Sequence, residues 1–485
     1  MCSFSFIMNI IDFLKNSANK YPEKIALIFE NNSFTFDELW KSVKMTSISI
    51  SSITKNNVIS LMAENSSSFV ISYLGIINSG KIAHLIPPEI SETNMLAQLM
   101  SSDSSAIICS NTVFNTISKY ETMKIPIFQF KDIKKITSNQ NIDSQPNDLA
   151  YLVYTSGTTS VPKGVGVTHS MVDFTTKNII HVLKYSSSDI DVLPLPLHHS
   201  FGLGCLHTSL YVGSTLILLK NTNDIQRILE IIKKYDATTL AVIPATLTKF
   251  LKFNEIELIN YFSSIKLIIT NSTKIPINTI QNFKKIISNG CLATYYGLTE
   301  ASRSTFMIFD KVTSYDESVG QPAPGIKIKI VNDSQKSKPG EIWIKGDNVI
   351  KKYWENTQAD ENLIDGWLKT GDLGYIDDSG YLYLLGRSDD VINIGGEKVM
   401  PDEIENVVKQ IIGVENVTAF GIHHEIFGQV IKLHVIKSIN SDLDKSTIIN
   451  YCIKNLEKYK IPSKIDFVTN IPQTDYGKVK RFMLK

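Results

Sequence analysis

The chain has 485 residues, 43% hydrophobic and 20% charged, with 49 Lys plus Arg against 48 Asp plus Glu and a net charge of +1. That length exceeds what one hydrophobic core serves and implies roughly two to four domains. The near-neutral balance argues against a nucleic-acid binder, and no uninterrupted apolar run is long enough to span a bilayer. Cys2, Cys109, Cys205, Cys291 and Cys452 are scattered, odd in number and without metal-ligand spacing, the pattern of a reduced, cytoplasmic protein.

The start, MCSFSFIMNIIDF, is apolar but lacks a basic stretch and a small-residue cleavage site, so it does not read as a signal peptide. From Met8 a helix is predicted with Ile10, Ile11 and Leu14 on one face. Beyond residue 57 strands and helices alternate: NVISLMAEN, SSFVISYLGIINSG closed by Gly80, KIAHLIPP, then SETNMLAQLM begun by a Ser cap. The alternation returns with DVLPLPL, FGLGCLHTSLYVG and STLILLK. It continues through NDIQRILEIIKKYD, where Ile225, Ile228, Leu229 and Ile232 form an apolar face, and through SIKLIIT with its following helix. Apolar strands separated by amphipathic helices imply mostly parallel sheets covered by helices, an α/β architecture.

Near Gly340 the character changes. EIWIKGD, GYIDDSGYLYLLG and VINIGGEKVM read as short strands joined by Gly-rich turns. After GRSDD (386–390) the chain forms a last α+β unit, with a helix opened by Pro401, strands around VTAFGI and VIKLHVIK, and a helix through YCIKNLEKYK. The expected division is an N-terminal domain over 1–386, with a β-subdomain over about 310–386, and a small mobile C-terminal domain over 387–485.

YTSGTTSVPKGVGVTHS (154–170) crowds hydroxyls and glycines around Lys163. Small residues let backbone N–H groups approach an anion and hydroxyls add donors, so a phosphate loop is expected. It is not the usual nucleotide loop, in which Ser or Thr follows Gly-Lys directly, because Pro162 precedes and Gly164 follows the lysine. Alone, such a stretch is equally a Ser/Thr/Gly surface loop.

Four further stretches accompany it: YYGLTE (295–300), KTGDLGYID (369–377), GRSDDVINIGGEKVMPDEIE (386–405) and PQTDYGKVKR (472–481). Together, and in this order over nearly the whole chain, the five resemble the signature motifs of the adenylate-forming superfamily. That superfamily includes acyl- and aryl-CoA ligases, peptide-synthetase adenylation domains and luciferase. The resemblance implies that Thr155, Ser156, Gly157, Thr158, Thr159 and Lys163 close over the β- and γ-phosphates of ATP. It gives Glu300 to Mg²⁺, Thr299 to the α-phosphate, the Tyr296 ring to adenine and Asp372 to the ribose, with Arg387 adding a donor. It makes Lys478 the catalytic lysine that bridges substrate carboxylate and phosphate, and Asp389 the hinge about which the C-terminal domain turns. Gly395 and Gly396 would then line the tunnel for a pantetheine thiol. Lys480, Arg481 and Lys485 read as solvated lysines and arginine of a basic tail. Ser160 departs from the family's usual glycine, which costs ~1 kcal/mol or more if that position needs a positive φ.

PLPLHHSFGLG (194–204) resembles the acid-binding stretch of ligases for fatty or aromatic acids, with His199 beside the carboxylate and Phe201 and Gly202 in the acyl pocket. No acidic residue lies there to pair an α-ammonium, which disfavours an amino-acid substrate. Asn271, Ser272, Thr273 and Lys274 in LIITNSTKIP replace the small run usual in the family at the pocket wall; either these polar residues read a polar group on the acid, or Lys274 simply points to solvent. Arg303 is left open in the same way. The segment from Glu300 to Thr370 is too short for the insertion of ligases that exclude coenzyme A. The His-His pairs at 198–199 and 423–424 do not suit a metal site, because neighbours on a strand point to opposite faces and no Cys or acid stands at zinc spacing.

These readings imply an ATP-dependent acid–thiol ligase that passes through an acyl-adenylate, with coenzyme A as acceptor. The alternatives are a carrier-protein phosphopantetheine as acceptor, a luciferase-type oxygenase, and a non-catalytic nucleotide-binding protein on a decayed ligase fold.

Overall fold

The computed structural model describes residues 7–54, 57–120, 124–133, 148–155, 163–287, 289–310, 314–332, 339–355, 359–394, 397–473 and 479–484. Two compact units emerge. The first comprises Met1–Asp316, Gly320–Lys327 and Ile344–Leu368; the second comprises Glu317–Val319, Ile328–Trp343 and Lys369–Lys485.

The first unit holds a nine-stranded and a six-stranded sheet. In the larger, five strands run parallel through the middle: Ile190–Leu193, Thr215–Leu218, Thr239–Val242, Leu267–Thr270 and Cys291–Leu298. Ala301–Phe309 then turns back antiparallel on Cys291–Leu298. In the smaller, Val58–Met62, Ile82–Ile86 and Leu149–Thr155 are parallel, and Lys163–Thr168 closes one edge antiparallel. Strands such as Val58–Met62, Ile82–Ile86 and Leu267–Thr270 are buried at every position, as apolar runs covered on both faces must be.

The helices form where polar caps meet apolar periodicity. Ser66, Ser91 and Thr168 each accept a backbone N–H in the first turn of the helices Ser67–Asn78, Glu92–Ser101 and His169–Leu183. In Ile225–Tyr235, Ile228, Leu229 and Ile232 are buried as the periodicity predicts, whereas Ile225 lies outside the buried set. The strand predicted across DVLPLPL ends at Leu193, because Pro194 and Pro196 cannot donate to a ladder. The helix Ser200–Val212 follows and stops at Gly213, whose φ of 76° suits glycine and where a side chain would strike Tyr21.

In the second unit GYIDDSGYLYLLG is a hairpin, as its Gly-rich turn predicts. Trp367–Ile376 pairs antiparallel with Leu382–Arg387, and the Asp377 carboxylate accepts the N–H groups of Ser379 and Tyr381 in the turn. The C-terminal α+β layer packs the helices Pro401–Val408 and Lys445–Asn455 on a sheet led by Val414–His424 and Gly428–Lys437. Its core includes Ile404, Val408, Leu433, Ile448 and Ile465. No described helix is long and apolar enough to cross a membrane.

Candidate active site

In the first unit the phosphate loop is held at its mouth. Thr155 and Lys163 face each other as the last pair of an antiparallel ladder, and the Thr155 hydroxyl donates to the Lys163 carbonyl at 3.5 Å. Ser156, Gly157, Thr158 and Thr159, with Ser160, lie outside the described residues. Glu300 sits on the turn between Cys291–Leu298 and Ala301–Phe309, so the loop and the acid come from different sheets. A β-carbon on Gly297 would stand 2.5 Å from the Arg303 nitrogen, which explains glycine in YYGLTE.

One segment, 348–354, ties the two together. Ile350 N–H donates to the Glu300 carbonyl at 2.9 Å, and Asn348 donates to the Ser302 carbonyl at 3.1 Å and to Ser304 at 2.9 Å. At its other end Trp354 N–H donates to the Gly164 carbonyl at 2.8 Å, and the Trp354 indole donates to the Ser101 carbonyl at 2.9 Å. A β-carbon on Gly164 would lie 2.9 Å from that of Trp354, so the glycine after Lys163 makes room for this segment. Between the ends stands Tyr353, 5% exposed. Its hydroxyl donates to Glu300 Oε1 at 3.2 Å, and Lys163 Nζ lies over its ring 5.8 Å from the centroid. Sequence reading did not find Tyr353; its only signal was an aromatic pair, Tyr353 and Trp354, beside two lysines.

The proposed acyl region is also in this unit. His199 begins the helix Ser200–Val212, its ring 4.4 Å from that of His198. Burial pushes the His199 pKa down to about 4 and that of His198 down as well, so both are neutral at pH 7. Phe201 is buried and meets Tyr295 edge-on at 5.4 Å. Gly202 faces backbone, since a side chain there would overlap the Pro196 carbonyl. Asn271 hydrogen-bonds Tyr295 through its side chain, whereas Ser272 is exposed at φ 94°. Tyr296 is 6% exposed. Thr299 and Arg303 share a cavity wall that neither Asn271 nor Ser272 joins. Among the described residues no group of His, Cys, Asp or Glu could hold a metal by itself.

In the second unit Asp372 and Arg387 face each other across the hairpin, with Nη1 2.9 Å from Oδ1. Arg387 also donates to the Thr370 carbonyl at 3.0 Å, and Ser388 donates to the Gly371 carbonyl at 3.0 Å. Asp389 is exposed on the short 3₁₀ turn Ser388–Asp390. Gly395, Gly396 and Lys478 lie outside the described residues. The flanks of the lysine segment are nonetheless visible. Gln473 bridges Val479, and Lys480 N–H donates to the Pro472 carbonyl at 2.9 Å. Arg481 corrects the expectation of a solvated tail. It ion-pairs with Asp390 at 3.2 Å, Asp402 at 2.8 Å and Glu405 at 2.7 Å, its side chain only 14% exposed. Although burial opposes charge, those three carboxylates raise its pKa above the ordinary arginine value.

This combination of helix-covered parallel sheets, a loop ending in Lys163 tied to an acidic turn, and a C-terminal α+β layer is that of an adenylate-forming enzyme. The chain belongs to the AMP-binding enzyme family: residues 14–354 match its main domain and residues 403–478 match the AMP-binding enzyme C-terminal domain. It is 29% identical to the 2-succinylbenzoate–CoA ligase of Bacillus subtilis over 98% of this chain and 97% of that protein. It is 28% identical to the long-chain-fatty-acid–CoA ligase of Haemophilus influenzae, covering 98% and 94%. Among solved structures it superposes on the Bacillus subtilis o-succinylbenzoate CoA synthetase in complex with its acyl-adenylate intermediate, with TM-score 0.88 and 27% identity over 98% of this chain and 97% of that one. The same enzyme in complex with ATP and magnesium ion gives TM-score 0.87 over 97% and 98%.

Proposed function

We propose that this AMP-forming acid–thiol ligase adenylates an aliphatic or aromatic carboxylic acid with ATP, releases pyrophosphate, and passes the acyl group to coenzyme A. The observation that carries this is the Lys163–Tyr353–Glu300 arrangement, which sets an ammonium over the ring and a carboxylate at the hydroxyl of one tyrosine. Those groups fit a magnesium nucleotide, since Mg²⁺ is ordinarily held by one or two carboxylates together with substrate phosphates. Bound magnesium would neutralise the charge of the triphosphate.

The chain's own residues do the rest. A carboxylate is a poor acceptor because its carbonyl carbon is electron-rich and its oxygen leaves badly, whereas a mixed anhydride with AMP leaves readily. Lys163, with Thr155 and the loop it closes, holds the departing β- and γ-phosphates. Thr299 donates to the α-phosphate. His199, neutral at pH 7, offers the acid carboxylate a hydrogen bond rather than a charge. Asp372 accepts the ribose hydroxyls, with Arg387 orienting it. Lys478 supplies positive charge between carboxylate and phosphate as the new bond forms. The C-terminal domain over 387–485, turning about Asp389, then brings the strands Ile392–Ile394 and Glu397–Val399 to serve the thiol step.

ATP–pyrophosphate exchange over a panel of fatty, aromatic, hydroxy and amino acids tests this reading. Exchange with at least one acid, followed by consumption of free coenzyme A, is the expected outcome. Exchange without coenzyme A consumption would transfer the acceptor role to a carrier-protein thiol. No exchange with any acid would defeat the ligase reading.

A further inference from the structure

We propose that Arg303 forms a subsite for a second carboxylate on the acid substrate, so that the enzyme activates dicarboxylic acids in preference to unsubstituted ones; this rests on the acid–thiol ligase reading above. Arg303 is 3% exposed and sits at φ 55°, a left-handed conformation unusual for a side chain of its size. Its guanidinium donates to the Ser200 carbonyl at 3.3 Å, the Phe201 carbonyl at 3.1 Å and Ser302 at 2.8 Å, and it lies 4.9 Å from the Tyr295 ring centroid. None of these partners is anionic, and its Nε has no hydrogen-bond partner among the described residues.

The setting makes the missing anion conspicuous. Arg303 lines a cavity with Thr299, Ser200, Gly204, Ser302 and Asn348, and among the described residues no acid lines it. Ser200 and Gly204 belong to the first turns of Ser200–Val212, a helix of 13 residues whose N-terminal end carries partial positive charge. A cation placed there is doubly unfavourable until an anion joins it. The position is nonetheless built for it, because any β-carbon at Gly204 would overlap the guanidinium. The neighbouring His207 adds no charge, its pKa being pushed down to about 3 by burial. Asn348 lines the same cavity, and its buried Oδ1, without a partner among the described residues, can accept from a water or a substrate hydroxyl. Thr299, the α-phosphate ligand of the proposed reaction, shares this wall. The cavity therefore lies beside the reacting carboxylate, and a distal carboxylate of the same acid is the anion placed to reach it. A long unsubstituted chain would instead lay methylenes against a buried guanidinium, which loses its solvation without replacement.

Matched acid pairs test this: hexanoate against adipate and benzoate against phthalate, in pyrophosphate exchange and in direct calorimetric titration, with wild type, Arg303→Gln and Arg303→Lys. In wild type at least one dicarboxylic member should exceed its partner by roughly 10²-fold in kcat/KM, because a site built around a charged donor rejects analogues lacking its partner. Arg303→Gln should abolish that preference while leaving exchange with the monocarboxylic partner, and Arg303→Lys should keep part of it. Wild-type preference for both monocarboxylic members overturns the proposal. So does an equal loss for both members of a pair in Arg303→Gln, which would make the arginine a structural brace. Should the substitutions prevent folding, the wild-type pairs still decide. If no acid supports exchange, the ligase reading fails on its own, while dicarboxylate binding by calorimetry, present in wild type and lost in Arg303→Gln, still reports on the subsite.

Discussion

The two units treat their charges in opposite ways. In the second, two arginines near the site residues are matched within the fold: Arg387 by Asp372, and Arg481 by Asp390, Asp402 and Glu405. In the first, Lys163 rests over an aromatic ring and Arg303 is held by carbonyls, and neither ion-pairs with a described residue. Lys163 and Arg303 are thus placed to receive an anion from outside, whereas Arg387 and Arg481 hold carboxylates of their own unit. The histidines divide likewise. His84, His169, His198 and His207 are buried in the first unit, where His199 is half-buried and only His181 is exposed among the described histidines, while His423, His424 and His434 of the second are exposed or half-buried.

The largest consequence concerns acid. Burial lowers the pKa of His84 and His207 to about 3 and of His169 and His199 to about 4, below the ordinary ~6.5. The unfolded chain therefore takes up protons first as pH falls. Stability from neutral burial is complete above pH ~6.5 and drains away toward the folded pKa values. At pH 5 each imidazole has lost about 2 kcal/mol and the four together up to about 8 kcal/mol, comparable to the whole stability of a domain. Calorimetry between pH 7.5 and 5 should show the first unit's transition falling steeply and the second's much less. Parallel shifts of the two transitions would erase the contrast.

Next in size is the lysine that the second unit carries. Lys478→Ala should slow adenylation ~10²–10³-fold, about 3–4 kcal/mol, as removal of a preorganised charged donor does. Transfer from pre-formed acyl-AMP to coenzyme A should change little. Equal losses in the two half-reactions would deny Lys478 a step of its own. Close behind, Arg481→Leu should destabilise the second unit by about 3 kcal/mol, because it strands the buried Glu405 carboxylate, 5% exposed. Lys480→Ala, one residue away, should stay within about 0.5 kcal/mol. Denaturation curves that cannot tell the two variants apart would mean that Arg481 is no anchor.

Much of this was legible beforehand, for physical reasons that can be traced. The parallel sheets announced themselves through apolar runs such as Val58–Met62 and Ile82–Ile86, and the helices through caps such as Ser66 and Ser91. Lys163 and Glu300 could be singled out because their motifs are local. What joins them could not, since Tyr353 arrives from 53 residues beyond Glu300 and reveals its role only through hydrogen bonds across the fold. Arg481 was misread for the same reason: a basic tail looks solvated until Asp390 and Glu405, 91 and 76 residues away, are seen around it. Arg303 could be noticed in the sequence but not interpreted, because its meaning lies in the acids that are missing from its cavity.

The smallest expected effect is the sharpest probe of how the first unit waits for its nucleotide. Tyr353 performs two separable tasks, its hydroxyl orienting Glu300 and its ring receiving Lys163. Tyr353→Phe removes only the first. A hydrogen bond to a carboxylate is worth about 1.5–3 kcal/mol when buried, and partial replacement by water should leave about 1.4 kcal/mol, a tenfold rise in KM for MgATP. The magnesium concentration needed for half-maximal exchange should rise with it, while the second unit's melting is untouched. Tyr353→Leu removes the ring as well and should add about 0.5–1 kcal/mol, the size of an exposed cation–π contact, read as weaker ATP binding that magnesium does not restore. If Phe and Leu at this position behave alike, Lys163 does not depend on the ring, and the acid and the cation are held independently of one another.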